Sequence, residues 1–341
     1  MKKINIVTGL IMVAMLSACN LFNKKDSEEF KIEKYENEVT YADFSDSIDK
    51  IGEEMSAGWE TAPDQKTHGI IISNIVETLK SADGAQLKRE TKDVNLEQDD
   101  EYDVDTDISK SHLSGTIKTN SEAADTPSVE ETTTVDVTRQ YQAFMVGEVK
   151  NTASVNESAK EYYNLGEYKE NEPEEQGRDG MMAPALVMMM GIFTYESETA
   201  TAEEKAQYHF YHDEGVYTLV CNQNETDEKT HYVGGEKVKY ADKVTIGTLV
   251  AQIVITKKDN KVNSVSYYCE VDSTETTTYV TDFQDYYENT FTAGQVVVRN
   301  SKVKSGARLT VGDISLAAID LSEYTLKDED PDYKVNILEL F

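Results

Sequence analysis

Between Gly69 and Ile319 the chain turns back on itself repeatedly, with no regular alternation of strand and helix, and this rhythm constrains the fold more than any other feature. Gly69–Val76 is rich in branched residues, Asp99–Ile108 alternates, and Leu113, Gly115 and Ile117 repeat at two. Thr132–Val149 is long enough for one bent strand or two shorter ones, after a turn-rich loop at Asn120–Pro127. Further on, Tyr208–His212 and Val216–Cys221 flank Asp213-Glu214-Gly215, a hairpin signal. Ile246–Thr256 and Val262–Val271 flank Lys257–Asn260 in the same way. Thr274–Phe283, Gln295–Arg299, Ala307–Val311 and Ile314–Ile319 complete the expected strands, so the sheet should be antiparallel.

Two helices are expected inside this pattern. In Thr40–Gly58, the residues Tyr41, Phe44, Ile48, Ile51 and Met55 fall on one stripe, Thr40 and Asp43 form an acidic capping box, and Gly58 is a stop. Met181–Phe193 is wholly apolar, with Pro184 suited to a first turn and Gly191 to an end, so it reads as a buried helix after the acidic loop Glu170–Gly180. Thr199–Gln207 can add a short polar helix. The expected class is therefore α+β: a strongly curved antiparallel sheet, a half-barrel, wrapped over an N-terminal amphipathic helix and a central apolar one. This order of elements, over residues 40 to 320, resembles the LolA, LolB and LppX type of lipoprotein, and the resemblance implies a cleft for a lipid. The echo of Glu131-Thr-Thr-Thr-Val135 in Glu275-Thr-Thr-Thr-Tyr279 is explained by strand composition, since no long period accompanies it.

The first residues place the chain. Lys2 and Lys3 precede an apolar run from Ile4 to Leu16, too short to span a bilayer and suited to a signal core. Leu16-Ser17-Ala18-Cys19 resembles the bacterial lipobox, and the resemblance implies a lipoprotein, of Gram-positive type, cut before Cys19 and acylated on that cysteine. Two chains, at about 0.8 kcal/mol per buried methylene, make a stable anchor. The expected organisation is a signal at 1–18, the lipidated cysteine and a flexible tether at 19–39, and one domain at 40–341. The site of action is then extracytoplasmic, at the cell membrane, and a monomer is expected.

Charge removes whole classes of partner. Without Lys2 and Lys3 the mature chain keeps 31 basic residues against 64 acidic ones, a formal charge of −33. Nucleic acid is excluded, and anionic lipid surfaces repel such a domain, so the acyl anchor and not surface charge must hold it at the membrane. Cys221 and Cys269 lie in strand-like runs, which leaves both a cross-strand disulfide and two buried thiols open.

No chemistry-bearing motif survives scrutiny. Asp99–Asp107 resembles a calcium loop, but an EF-hand beginning at Asp103 needs Gly and Glu where Ile108 and Ser114 stand. As a strand it would set Tyr102, Val104, Thr106 and Ile108 against Asp103, Asp105 and Asp107, leaving those acids to water or to weak calcium. His209 and His212, three apart, fall on opposite faces of a strand, and no zinc motif occurs. Ser47-Ile-Asp-Lys50 and Ser301-Lys-Val-Lys304 match Ser-x-x-Lys, yet no Lys-Thr-Gly follows either. No metal, cofactor or enzymatic activity is therefore expected. The methionines of 181–190 suit core filling, apolar-ligand contact or, least, copper(I).

Two functions remain. The first is a cleft that buries acyl chains against Phe44, Ile48, Ile51, Met188, Met189 and Phe193. The second is an interaction or structural module of the envelope, with a solid core and an acidic docking face.

Overall fold

In the computed structural model, residues 30–58, 64–124, 126–167, 195–197, 199–259, 261–286 and 288–327 are described, with backbone alone for 51–58. The strand β1 (Glu38–Val39) leads into helix α1 (Tyr41–Gly58). Then come β2 (Gln65–Lys80), β3 (Gln86–Asp103), β4 (Ile108–Ala123), β5 (Thr126–Val146), β6 (Val149–Asn156) and β7 (Glu161–Glu167). After α2 (Ala202–Lys205) follow β8 (Tyr208–Asp213), β9 (Val216–Val233), β10 (Glu236–Lys258) and β11 (Lys261–Tyr279). The small pair β12 (Phe283–Gln284) and β13 (Thr290–Phe291) precedes β14 (Val296–Val311) and β15 (Thr325–Lys327).

Thirteen of these strands form one sheet in the order β1-β8-β9-β10-β11-β14-β2-β3-β4-β5-β6-β7-β15. Every pairing in it is antiparallel except β7 with β15. The antiparallel expectation holds, but the α+β half-barrel does not. The described chain is almost entirely β, with two helices among the described residues, and one 13-stranded sheet replaces a half-barrel wrapped over two helices. The apolar run 181–193, expected as the central helix, lies outside the described residues.

The strands are also longer than apolar alternation suggests. β9 was expected to end at Cys221, yet it pairs with β10 through Asn222–Val233, a stretch of polar residues. Cross-strand ion pairs occupy such polar ends, among them Lys239–Glu228 at 2.7 Å and Lys302–Asp272 at 2.8 Å. Two other expectations change for the same reason. The loop at Asn120–Pro127 narrows to a tight turn between β4 and β5, and Gln295–Arg299 and Ala307–Val311 are two stretches of the single strand β14. Ile314–Ile319, expected as a strand, is an extended strap across the sheet.

The core follows one register row. Phe210, Leu219, Ala251, Cys269, Ser305, Ile71, Leu96, Gly115 and Val135 stand opposite one another from β8 across to β5. They share one face, and all but Gly115 are buried. Gly115 has φ +141°, and a Cβ there would run into the Asn95 carbonyl, so only glycine lets β3 and β4 close at this point. Helix α1 lies on the same face, with Phe44 and Ile48 packed on Phe210, Leu219, Ala251, Ile253, Val265 and Tyr267. Its start is capped as expected, the Asp43 N–H donating to Thr40 Oγ1 at 3.2 Å. In α2 the Thr201 and Glu204 side chains form a full capping box.

The opposite face carries two straps. Residues 30–37 cross it toward β1, with Phe30 seated on Ile70 and Tyr268, and residues 312–320 cross it toward β15.

Candidate functional site

The space beneath α1 is filled. Phe44 is fully buried, as are Leu219, Ala251 and Val265 below it, and the tilted rings of Phe44 and Phe210 lie 5.1 Å apart. Two of the proposed lipid-contact residues, Phe44 and Ile48, are therefore core residues with no cleft between them and the sheet. The Ile51 side chain and Met188, Met189 and Phe193 lie outside the described residues, as does Cys19. The half-barrel that implied the cleft is overturned, and the contacts expected of Phe44 and Ile48 are taken up by the core.

Beside the middle of α1 a cavity of about 560 Å³ is lined by Ser47, Lys50, His212, Glu214, Tyr217 and Lys257, among others. Here the structure pairs a hydroxyl and an imidazole that the sequence left 165 residues apart: Ser47 Oγ lies 3.2 Å from His212 Nδ1. The pair resembles a nucleophile and its base, but the hydroxyl has a second and shorter contact. Ser47 Oγ also lies 2.7 Å from the Asp43 carbonyl, to which it donates, so the hydroxyl has two partners, and the tautomer of His212 sets the direction of the longer bond. Tyr217 stacks on the His212 ring at 4.5 Å and fixes it there. His209, on the other face as expected, meets Glu38 at 2.9 Å.

The acidic segment 99–107 is not an alternating strand. β3 ends at Asp103, residues 104–107 make the turn, and Ile108 opens β4. Asp105 is exposed, but most of the other acids have partners in the protein. Asp100 is buried and accepts from Gln98 Nε2 at 2.9 Å, and Asp107 accepts from the Tyr102 hydroxyl at 2.7 Å. Asp103 accepts from the N–H groups of Asp105 and Thr106 through Oδ1 and of Leu316 through Oδ2. Burial alone would raise its carboxyl, but those three N–H groups hold it below the usual range.

Asp99, at the start of the segment, belongs to a cluster that no spacing announced. His68 on β2 stands directly opposite Asp99 on β3, with Glu97 two residues along the same strand and on the same face. His68 Nδ1 is 2.8 Å from Asp99 Oδ1, and Nε2 is 3.8 Å from Glu97 Oε1. The imidazole is buried, and Phe30 stacks over it at 5.5 Å. One ligand atom from each of the three residues lies within 4.8 Å of the others, the one such set among the described residues. Sequence reasoning missed it because His68 and Glu97 belong to no motif, and only the β2–β3 register joins them.

Cys221 and Cys269 are free and buried. They sit on β9 and β11 with β10 between them and face it two residues apart, at Leu249 and Ala251, so more than two strand spacings, about 9.5 Å, separate them, too far for a disulfide. Burial pushes the Cys221 thiol up and that of Cys269 up to about 12.

No known family matches the chain, and no curated protein matches it. Among solved structures it is similar to the outer membrane protease OmpT from Escherichia coli, at 6% identity and a TM-score of 0.23, over 74% of this chain and 97% of that one. It is also similar to Pseudomonas aeruginosa OccK7, at 7% identity and a TM-score of 0.25, over 72% of this chain and 99% of that one. TM-scores this low transfer neither architecture nor activity. Among the described residues, no helix is long and apolar enough to cross a membrane.

Proposed function

We propose that the chain is an extracytoplasmic lipoprotein, held at the cell membrane through Cys19, whose β domain is a non-enzymatic interaction or structural module of the cell envelope. The observation that carries this reading is the filled space beneath α1, where Phe44 is fully buried against the sheet. A carrier of acyl chains needs an apolar cavity. The cavities beside α1 and beside the strap at 30–37 are instead edged by Lys50, Glu214 and Lys257 and by Lys31, Glu33 and Arg308. A solid domain with a formal charge near −33 once the signal is cut suits docking of basic partners, by steering at long range and by charge pairing at contact.

Two measurements test this. Palmitate labelling of the full chain in a bacterial host should mark the protein, and Cys19→Ala should abolish the label and release the domain from the membrane. Native mass spectrometry of the Cys19→Ala form, purified without detergent and incubated with membrane lipids, should give the bare protein mass. A stoichiometric bound lipid would overturn the module in favour of a carrier.

A further inference from the structure

We infer that His68, Glu97 and Asp99 form a binding site for one divalent transition-metal ion of the zinc class. The donor set is one imidazole and two carboxylates, which suits a borderline cation better than calcium or magnesium, both of which prefer oxygen alone. The backbone supplies the geometry. Glu97 and Asp99, at i and i+2, point from one face of β3, and His68 faces them from β2 across a continuous antiparallel ladder. Ligand atoms around tetrahedral zinc are about 3.4 Å apart, and one atom from each residue already lies within 4.8 Å of the others. Asp99 faces Nδ1 and Glu97 faces Nε2, so an ion on Nδ1 draws the Glu97 carboxylate round from the other nitrogen.

The surroundings favour a cation. His68 is 6% exposed and its ring plane is held by Phe30, which stacks on it at 24°, so little rotamer freedom is left to lose on binding. Glu97, with a side chain 35% exposed, leaves the site open to solvent from the β3 side. His112, opposite Asp99 on β4, is also on this face and turned to Asp136 at 2.9 Å. Arg308, opposite His68 on β14, donates to Ser266 at 3.0 Å and stands over the far side of the strap, 5.8 Å from the Phe30 ring centre. Two carboxylates against one guanidinium leave the site net negative.

The consequence is mechanical as well as chemical. Phe30 ends the described part of the N-terminal strap, so an ion on His68 would stiffen the point where the strap meets the sheet.

The test uses the full-length, untagged lipoprotein in mild detergent, stripped with a chelator, and Zn²⁺ alone as the probe. Equilibrium dialysis with elemental analysis should show one zinc per chain, and the melting temperature should rise with zinc concentration. His68→Gln and Glu97→Gln should each weaken binding at least ten-fold, whereas His209→Gln, in a two-membered pair with Glu38 near the β1 edge of the sheet, should leave it unchanged. Should His68→Gln fail to fold, Glu97→Gln, at a half-exposed position, carries the same comparison. Absence of bound zinc in the native protein, or zinc binding that Glu97→Gln leaves intact, would overturn the assignment.

Discussion

The side-chain amide of Gln252 pairs with both main-chain polar groups of Glu33: the Glu33 N–H donates to Oε1 at 2.8 Å, and Nε2 donates to the Glu33 carbonyl at 3.0 Å. A buried amide here acts as a one-residue strand partner. Gln142 does the same for the other strap, accepting from the Ile319 N–H at 2.7 Å and donating to the Ile319 carbonyl at 2.8 Å. Both glutamines lie on the face away from α1, and both hold an extended segment that leads to an end of the sheet.

Replacing Gln252 with leucine keeps the volume and removes the pairing. Thr218, which accepts from Nε2 at 2.9 Å, loses its partner as well. The expected loss is about 1–3 kcal/mol by urea denaturation. Hydrogen exchange should show lost protection confined to residues 31–37, with the β2–β5 core unchanged.

Gly306 is the floor of the Phe30 seat. A Cβ at this position would come 2.5 Å from Phe30 Cδ1, so Gly306→Ala must displace the ring. The expected loss is about 1–3 kcal/mol. Phe30→Ala should lose stability too, but adding Gly306→Ala to it should cost little more, and a double-mutant cycle by thermal melting reads the coupling.

Asp103 ties the C-terminal strap to the β3–β4 turn, and its carboxyl is held below the usual range. A lowered folded value means the stabilisation is present above the unfolded value, about 3.9, and is lost as pH falls through the folded one. Native Asp103 should therefore steepen the acid limb of stability below about pH 4, and Asp103→Asn should flatten that limb while lowering stability at pH 7.

Buried thiols act at the other end of the scale. Cys269 is pushed up to about 12 and Cys221 is raised, both by burial. A raised folded value leaves stability intact below the unfolded value, about 8.5, and loses it as pH rises toward the folded one. Urea midpoints should fall between pH 8 and pH 11, and less so in Cys269→Ala. In a Cys19→Ala background a thiol reagent should find both cysteines only after denaturation. A bridged pair would stay silent even then.

How much of this was legible beforehand divides by the kind of pattern. Helix α1 was readable from its stripe and cap, because Phe44, Ile48 and the Thr40–Asp43 box are local relations a few residues long. Antiparallel hairpins were readable from turn residues, Gly215 among them with φ +73°. The polar strand ends were not, since Asn222–Val233 is held by partners on β10 rather than by any alternation of its own. Ser47 and His212, and likewise His68, Asp99 and Glu97, were invisible as groups because their spacing carries no signal.

The sequence by itself determined the start and apolar stripe of α1, the antiparallel direction of pairing and the acidic charge. Only the tertiary structure decided which face α1 fills, that Cys221 and Cys269 stay apart, and that His68 meets two carboxylates. Propensity and turn chemistry act over a few residues, whereas these outcomes depend on the register between strands distant in the chain. A one-residue slip in that register would turn His68 and its neighbours on β2 to the other side of the sheet.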